Sequence, residues 1–167
     1  MGLDPRRWRV TDTDLVDSGR ERAFVGYGTH RPKLDDKGRL TIPARFRPGL
    51  ADGVVVCGWF TNTLSVFPED EFDALVRKVR PTANLSERHM AFFRLLVSGA
   101  EVQQLDSQGR ISIPASQRNY AGLDKDCVVN GLGERLEVWD AEAWDRYSEE
   151  NLPVFSEMEG TSLGIEF

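Results

Sequence analysis

Two arginines stand out for what their surroundings could make them do. Each follows a glycine directly and an aspartate by four residues: Asp35 and Gly38 before Arg39, and Asp106 and Gly109 before Arg110. A guanidinium is a rigid planar fork of donors that matches the O6 and N7 acceptors on the major-groove edge of guanine. An aspartate reaching back across a turn can fix that fork, so less freedom is lost on binding. Gly38 and Gly109 supply the positive φ of the turn and let its backbone approach closely. His30, Arg31, Lys33 and Lys37 flank the first motif and suit phosphate contacts, which set register without reading sequence. Arg47 and Arg118 could serve either purpose. The partner such residues fit is double-stranded DNA. The blander role is an ion pair that merely holds a hairpin, and it weighs most on the second motif, whose neighbours Ser107 and Gln108 are neutral.

Other chemistry finds little support. Asp35-Asp36 and Glu149-Glu150 are adjacent acids better read as turn and helix surface than as an acid–base pair. His30 and His89 are far apart in the chain, and no serine or cysteine sits in a recognisable nucleophile elbow. A phosphate-binding glycine loop is absent. Cys57 and Cys127 lie in apolar runs without a Cys-x-x-Cys partner, which makes them small core residues and not metal ligands. The expectation is no catalysis, metal, cofactor or small-molecule substrate.

The elements that carry the two arginines form an internal repeat. Residues 34–47 read LDDKGRLTIPARFR and residues 105–118 read LDSQGRISIPASQR, eight of fourteen positions being identical at an offset of 71. Two copies are too few for a solenoid and predict a pseudo-twofold domain in which each supplies half of one core. Within the first copy the pattern predicts a strand over 29–34, a turn at 35–38, a return strand over 39–42 and a helical turn after Pro43. Strands over 54–57 and 64–67 follow, then a helix opened by Glu69, Asp70 and Glu71 and closed by Arg77, Lys78 and Arg80. Ser86 is a candidate N-cap for a second helix ending at Gly99. The second copy repeats this with strands over 102–105, 110–113, 127–130 and 135–139. A helix runs from Pro114 to near Gly122, and another capped by Asp140 is stopped by Pro153. The first repeat is thus taken as 25–98, the second as 99–151, and 152–167 as a flexible acidic tail.

The formal net charge of −6 argues against nucleic acid as a sum, but distribution matters more. Between Thr29 and Arg47 six cations oppose two acids, whereas acids dominate after Glu134. Affinity for DNA would need several subunits engaging repeated sites, so oligomerisation belongs to the expected mechanism. No apolar run approaches a membrane span, and the N-terminal stretch has no apolar signal core, so a cytoplasmic location is expected.

Several stretches together resemble the MraZ family, bacterial transcriptional regulators related to the AbrB-type swapped-hairpin DNA binders. They are THRPKLDDKGRLTIPARFR, LSVFP with Phe72, LDSQGRISIPASQRNYAGL, and LEVWD with Trp144, and the likeness covers Gly26 to Glu150. The resemblance implies an α+β fold: a pseudo-twofold β-barrel of two repeated hairpin–helix halves with flanking helices. It further implies a homo-oligomeric ring, associated with the nucleoid, that binds repeated promoter sites of its own cell-division and wall-synthesis operon as a repressor. The rival is an oligomeric assembly protein that uses the same repeat without DNA. Residues 1–24 precede the family pattern. They are read as a mobile arm, or as the product of a start placed upstream of the true one, with Val25 where the initiator would fall. Gly26 and the loop Trp59–Asn62 also depart from the pattern.

Overall fold

A computed structural model describes residues 25–158 together with Leu163 and Gly164. The expectations for residues 1–24, and for the rest of the tail after Met158, lie outside the described residues.

Alternating apolar residues build the sheet. β3 (Val54–Trp59) and β4 (Thr63–Pro68) form a hairpin, as do β7 (Cys127–Gly133) and β8 (Leu136–Asp140). β8 joins the two hairpins by pairing with β4. β1 (Gly26–His30) adds to β7, and β5 (Glu101–Gln103) adds to β3, giving a six-stranded antiparallel sheet in the order β1-β7-β8-β4-β3-β5. Each copy's first strand therefore pairs in the other copy. The return strands β2 (Arg39–Thr41) and β6 (Arg110–Ser112) do the same, forming a separate two-stranded ribbon across the pseudo-twofold.

The fold is α+β, as expected, but the strands do not close into a barrel. β1 and β5 remain edges. Pro32 stands where β1 would continue, and without an N–H it cannot extend a ladder. Its carbonyl accepts from the Cys127 amide at 3.1 Å, and beyond it Lys33 and Leu34 make only isolated bridges.

Two cores follow from the alternation. On one face Val54, Val56, Leu64, Val66, Val129, Leu136 and Val138 meet Leu40, Ile42, Ile111 and Ile113 from the ribbon and its exits. On the other face Val55, Cys57 and Phe67 pack against Phe72 of α1 (Glu69–Val79) and Leu96 of α2 (Glu87–Ser98). Further along that face Trp139 packs on Trp144 and Tyr147 of α4 (Ala141–Glu157). Both cysteines are buried and free, and burial pushes their thiols up to about 12 for Cys57 and about 11 for Cys127.

The caps are as expected: Ser86 Oγ accepts from the His89 amide, and Asp140 Oδ2 from that of Ala143. The first post-Pro43 segment is two 3-10 turns, Ala44–Phe46 and Pro48–Leu50, broken by Pro48. Its counterpart α3 (Ala115–Tyr120) lacks that proline and is α-helical. Pro153 does not stop α4, which runs through it to Glu157. A helix already established upstream tolerates the missing hydrogen bond, so the first six residues set apart as tail are helical.

Candidate nucleic-acid interface

The ribbon is the feature around which the candidate residues gather. In β2 and β6 the register pairs Arg39 with Ser112, Leu40 with Ile111 and Thr41 with Arg110. Leu40 and Ile111 are buried, so alternation turns Arg39, Thr41, Arg110 and Ser112 to the opposite, outward face. One arginine comes from each repeat, at opposite ends of the ribbon.

Each arginine is held by its aspartate in the same way. Asp35 Oδ1 accepts from the amides of Lys37 and Arg39 at 2.9 and 2.8 Å, and Oδ2 accepts from Arg39 Nε at 2.7 Å. Asp106 Oδ1 accepts from the amides of Gln108 and Arg110, each at 2.9 Å, and Oδ2 from Arg110 Nε at 2.7 Å. The Arg39 amide, its guanidinium and the Lys37 amide together hold the Asp35 carboxyl below the ordinary aspartate value; the Arg110 and Gln108 groups do the same for Asp106. A bond at Nε leaves the two terminal nitrogens of the fork to address a ligand. Arg110 Nη1 also lies 4.0 Å from Asp35 Oδ2, which links the two motifs across the ribbon.

Gly38 and Gly109 have φ of 74° and 73°. The space above each is filled from the other repeat. A Cβ on Gly38 would lie 2.1 Å from Arg118 Nη1, and one on Gly109 would lie 2.2 Å from Arg47 Nε. Arg47 Nε donates to the Ile42 carbonyl at 2.8 Å, and Arg118 Nη1 donates to that of Ile113. The backbone adds a matching cross-link: the Ile42 amide donates to Gly109 O at 2.9 Å and the Ile113 amide to Gly38 O at 2.8 Å. Each turn is thus braced by an arginine and a strand end belonging to the opposite copy.

The remaining candidates are dispersed around this centre. Lys37 is exposed at the tip of the first turn. Arg31 is exposed and ion-paired with Asp145 of α4 at 2.6 Å, and Lys33 lies 3.5 Å from Asp126. His30 packs edge-on against Phe46 with ring centroids 5.2 Å apart, and its Nε2 is buried without a partner. Sequence reasoning missed two glutamines. Gln103 clasps the end of β6, its Nε2 donating to Ser112 O and its Oε1 accepting from the Ser112 amide. Gln117 is buried on α3 and donates through Nε2 to the carbonyls of Val56 and Gly99. Nothing in residue type marks either, because a glutamine's partners here are backbone atoms brought by the fold. Among the described residues no group of histidine, cysteine and carboxylate side chains could hold a metal, and no helix is long and apolar enough to cross a membrane.

Comparison with known proteins agrees with the two-copy architecture. The family described as "MraZ protein, putative antitoxin-like" matches twice, over residues 26–93 and 96–163. The chain is 48% identical over 137 residues to the transcriptional regulator MraZ of Rhodococcus opacus, covering 82% of this chain and 96% of that protein. The same identity and shares hold for the Corynebacterium diphtheriae protein of that name. The Saccharopolyspora erythraea one is 52% identical over 124 residues, 74% of this chain and 87% of that protein. All three are named as transcriptional regulators and none as an enzyme. With its repeat matched in both halves, this chain belongs to the MraZ family.

Proposed function

We propose that the protein is a sequence-specific DNA-binding transcriptional regulator whose reading heads are Arg39 and Arg110. One observation carries this reading: two aspartate-held arginines, one from each repeat, on the outward face of one braced two-stranded ribbon. A ribbon of that width enters the major groove, where the terminal nitrogens of each fork meet guanine O6 and N7. Lys37 then lies against the phosphate backbone, joined by Arg31, Lys33 and His30 along the approach. Arg47 and Arg118 act from behind, keeping the turns in shape. The names of the relatives support the regulatory role.

With a net charge of −6, a single subunit gains little from phosphates. The reading therefore includes a homo-oligomeric ring, associated with the nucleoid, engaging repeated promoter sites of its own operon as a repressor. Linked sites raise the effective concentration of each further contact. The test is binding to DNA upstream of its own gene across a salt series. Wild type is expected to bind with a steep salt dependence, and a folded Arg39→Ala/Arg110→Ala variant to lose binding. A folded, assembled wild type that ignores this DNA would overturn the reading and leave the ribbon a structural device for assembly.

A further inference from the structure

An apolar groove on the helical side contains none of the candidate DNA-contacting residues. It encloses about 390 Å³ between the β3–β4 loop, α2 and α3, and its lining includes Trp59, Phe60, Phe92, Leu95, Gln117 and Tyr120. Phe60 and Phe92 stack with rings 5.5 Å apart and 3° from parallel, yet remain 58% and 37% exposed, and Leu95 is 75% exposed. The loop that presents Phe60 is strained, with Thr61 and Asn62 at φ of 59° and 55°. Gln117 Oε1, in the wall, is buried without a hydrogen-bond partner. Exposed aromatic surface, a strained presenting loop and an orphan acceptor together mark a surface built to be covered.

The same chain carries a matching knob. Beyond Ser148, α4 and its C-cap Met158 expose Leu152, Phe155 and Met158, with Phe155 84% accessible. The two surfaces are opposite in charge. From Arg77 to Arg94, beside the groove, there are five bases and one acid; from Ser148 to Met158 there are three acids and no base. Arg88 and Arg94 of α2 are exposed, as are Glu149, Glu150 and Glu157 of α4, and none joins an ion pair among the described residues. On α2, Arg88, Phe92 and Leu95 share a stripe; on α4, Glu149, Leu152 and Phe155 share one, and each runs from a charged side chain to two apolar ones.

We infer that the groove receives the end of α4 from a second copy of this chain. Groove and knob differ, so the contact is head-to-tail, and its repetition builds a ring when the rotation between copies closes. The inference rests on the homo-oligomer reading and names the faces that build it.

The test uses the full chain in Leu95→Glu and Phe155→Glu variants, both at exposed positions, with thermal melts to check folding and native mass spectrometry to count subunits. Wild type is expected to assemble and each variant alone to run as a monomer. A mixture should then give a one-to-one dimer, because one variant keeps the groove and the other the knob. A second pair, Arg88→Glu/Arg94→Glu and Glu149→Arg/Glu150→Arg, should each weaken assembly and recover it when mixed. Wild-type-like assembly by either single variant, or monomers that stay monomeric on mixing, overturns the inference while the homo-oligomer reading stands. A monomeric wild type removes that reading and the inference with it.

Discussion

Asp35 and Asp106 matter more as acceptors than as charges. Each satisfies two turn amides with one oxygen and an arginine Nε with the other. An asparagine can keep the amide bonds, but its amino group then faces the Nε donor. Asp35→Asn and Asp106→Asn are therefore expected to free the guanidinium and weaken specific DNA binding while leaving the fold intact. The pH dependence has a definite sign. Both carboxyls titrate below 3.8 in the folded chain, so the unfolded chain takes up protons first as pH falls. Their contribution is complete above that value and is lost as pH drops through the folded one. Melting temperatures of wild type and the double asparagine variant should differ most near neutrality and converge in strong acid. A gap that widened on acidification would refute the assignment. The glycines obey a second constraint. Gly109→Ala must hold positive φ and displace Arg47, which should cost about 1–3 kcal/mol in urea titrations. Gly38 and Gly109 were legible as turn residues from the motif itself. The arginines above them were legible as equivalent positions, but not as braces. The glycines they pack over lie in the other copy, and no spacing along the chain reveals that.

At the level of elements, sequence punctuation was readable wherever a local residue decides. Ser86 and Asp140 cap their helices because each hydroxyl or carboxylate finds its own third amide. It failed at Pro153, which reads as a stop and sits inside α4, because a helix already established upstream carries through it. Where Pro48 interrupts the first copy's post-ribbon segment only 3-10 turns form, whereas the second copy, without that proline, keeps α3. α3 has a specific reason to stay in place. Gln117 ties it to β3 through Val56 and to the end of α2 through Gly99. Replacing Gln117 with leucine leaves both carbonyls without that donor. It should cost about 1–3 kcal/mol, the penalty for orphaned buried acceptors. The check is urea unfolding, with the expectation that the m-value stays at the wild-type level, since no additional surface opens. A neutral Gln117→Leu would mean that water or neighbouring backbone satisfies these carbonyls and that the glutamine is incidental.

Over the whole molecule the decisive fact is which copy each strand pairs with. The repeat predicted two halves of one core, but two near-identical turns can close within a copy or between copies, and composition does not choose. In the structure β1 pairs with β7, β5 with β3 and β2 with β6, all across the repeat boundary, and β4–β8 joins the halves as well. Separated, the first copy keeps only the β3–β4 hairpin and the second only β7–β8. Two-stranded hairpins are marginal in water, so neither piece has a sheet to fold around. The core residues Leu40 and Ile42 would also lose Ile111 and Ile113, exposing the interior of both. Fragments spanning 25–98 and 99–158 should accordingly be unfolded apart by circular dichroism and regain strand signal when mixed at one to one. The intact chain should unfold in a single transition with both arginine turns lost together. If the 25–98 fragment melted cooperatively by itself, the exchanged pairing would not be what holds the domain. The two reading heads would then be separate modules, able to bind and fail independently, instead of one ribbon whose halves stand or fall as a unit.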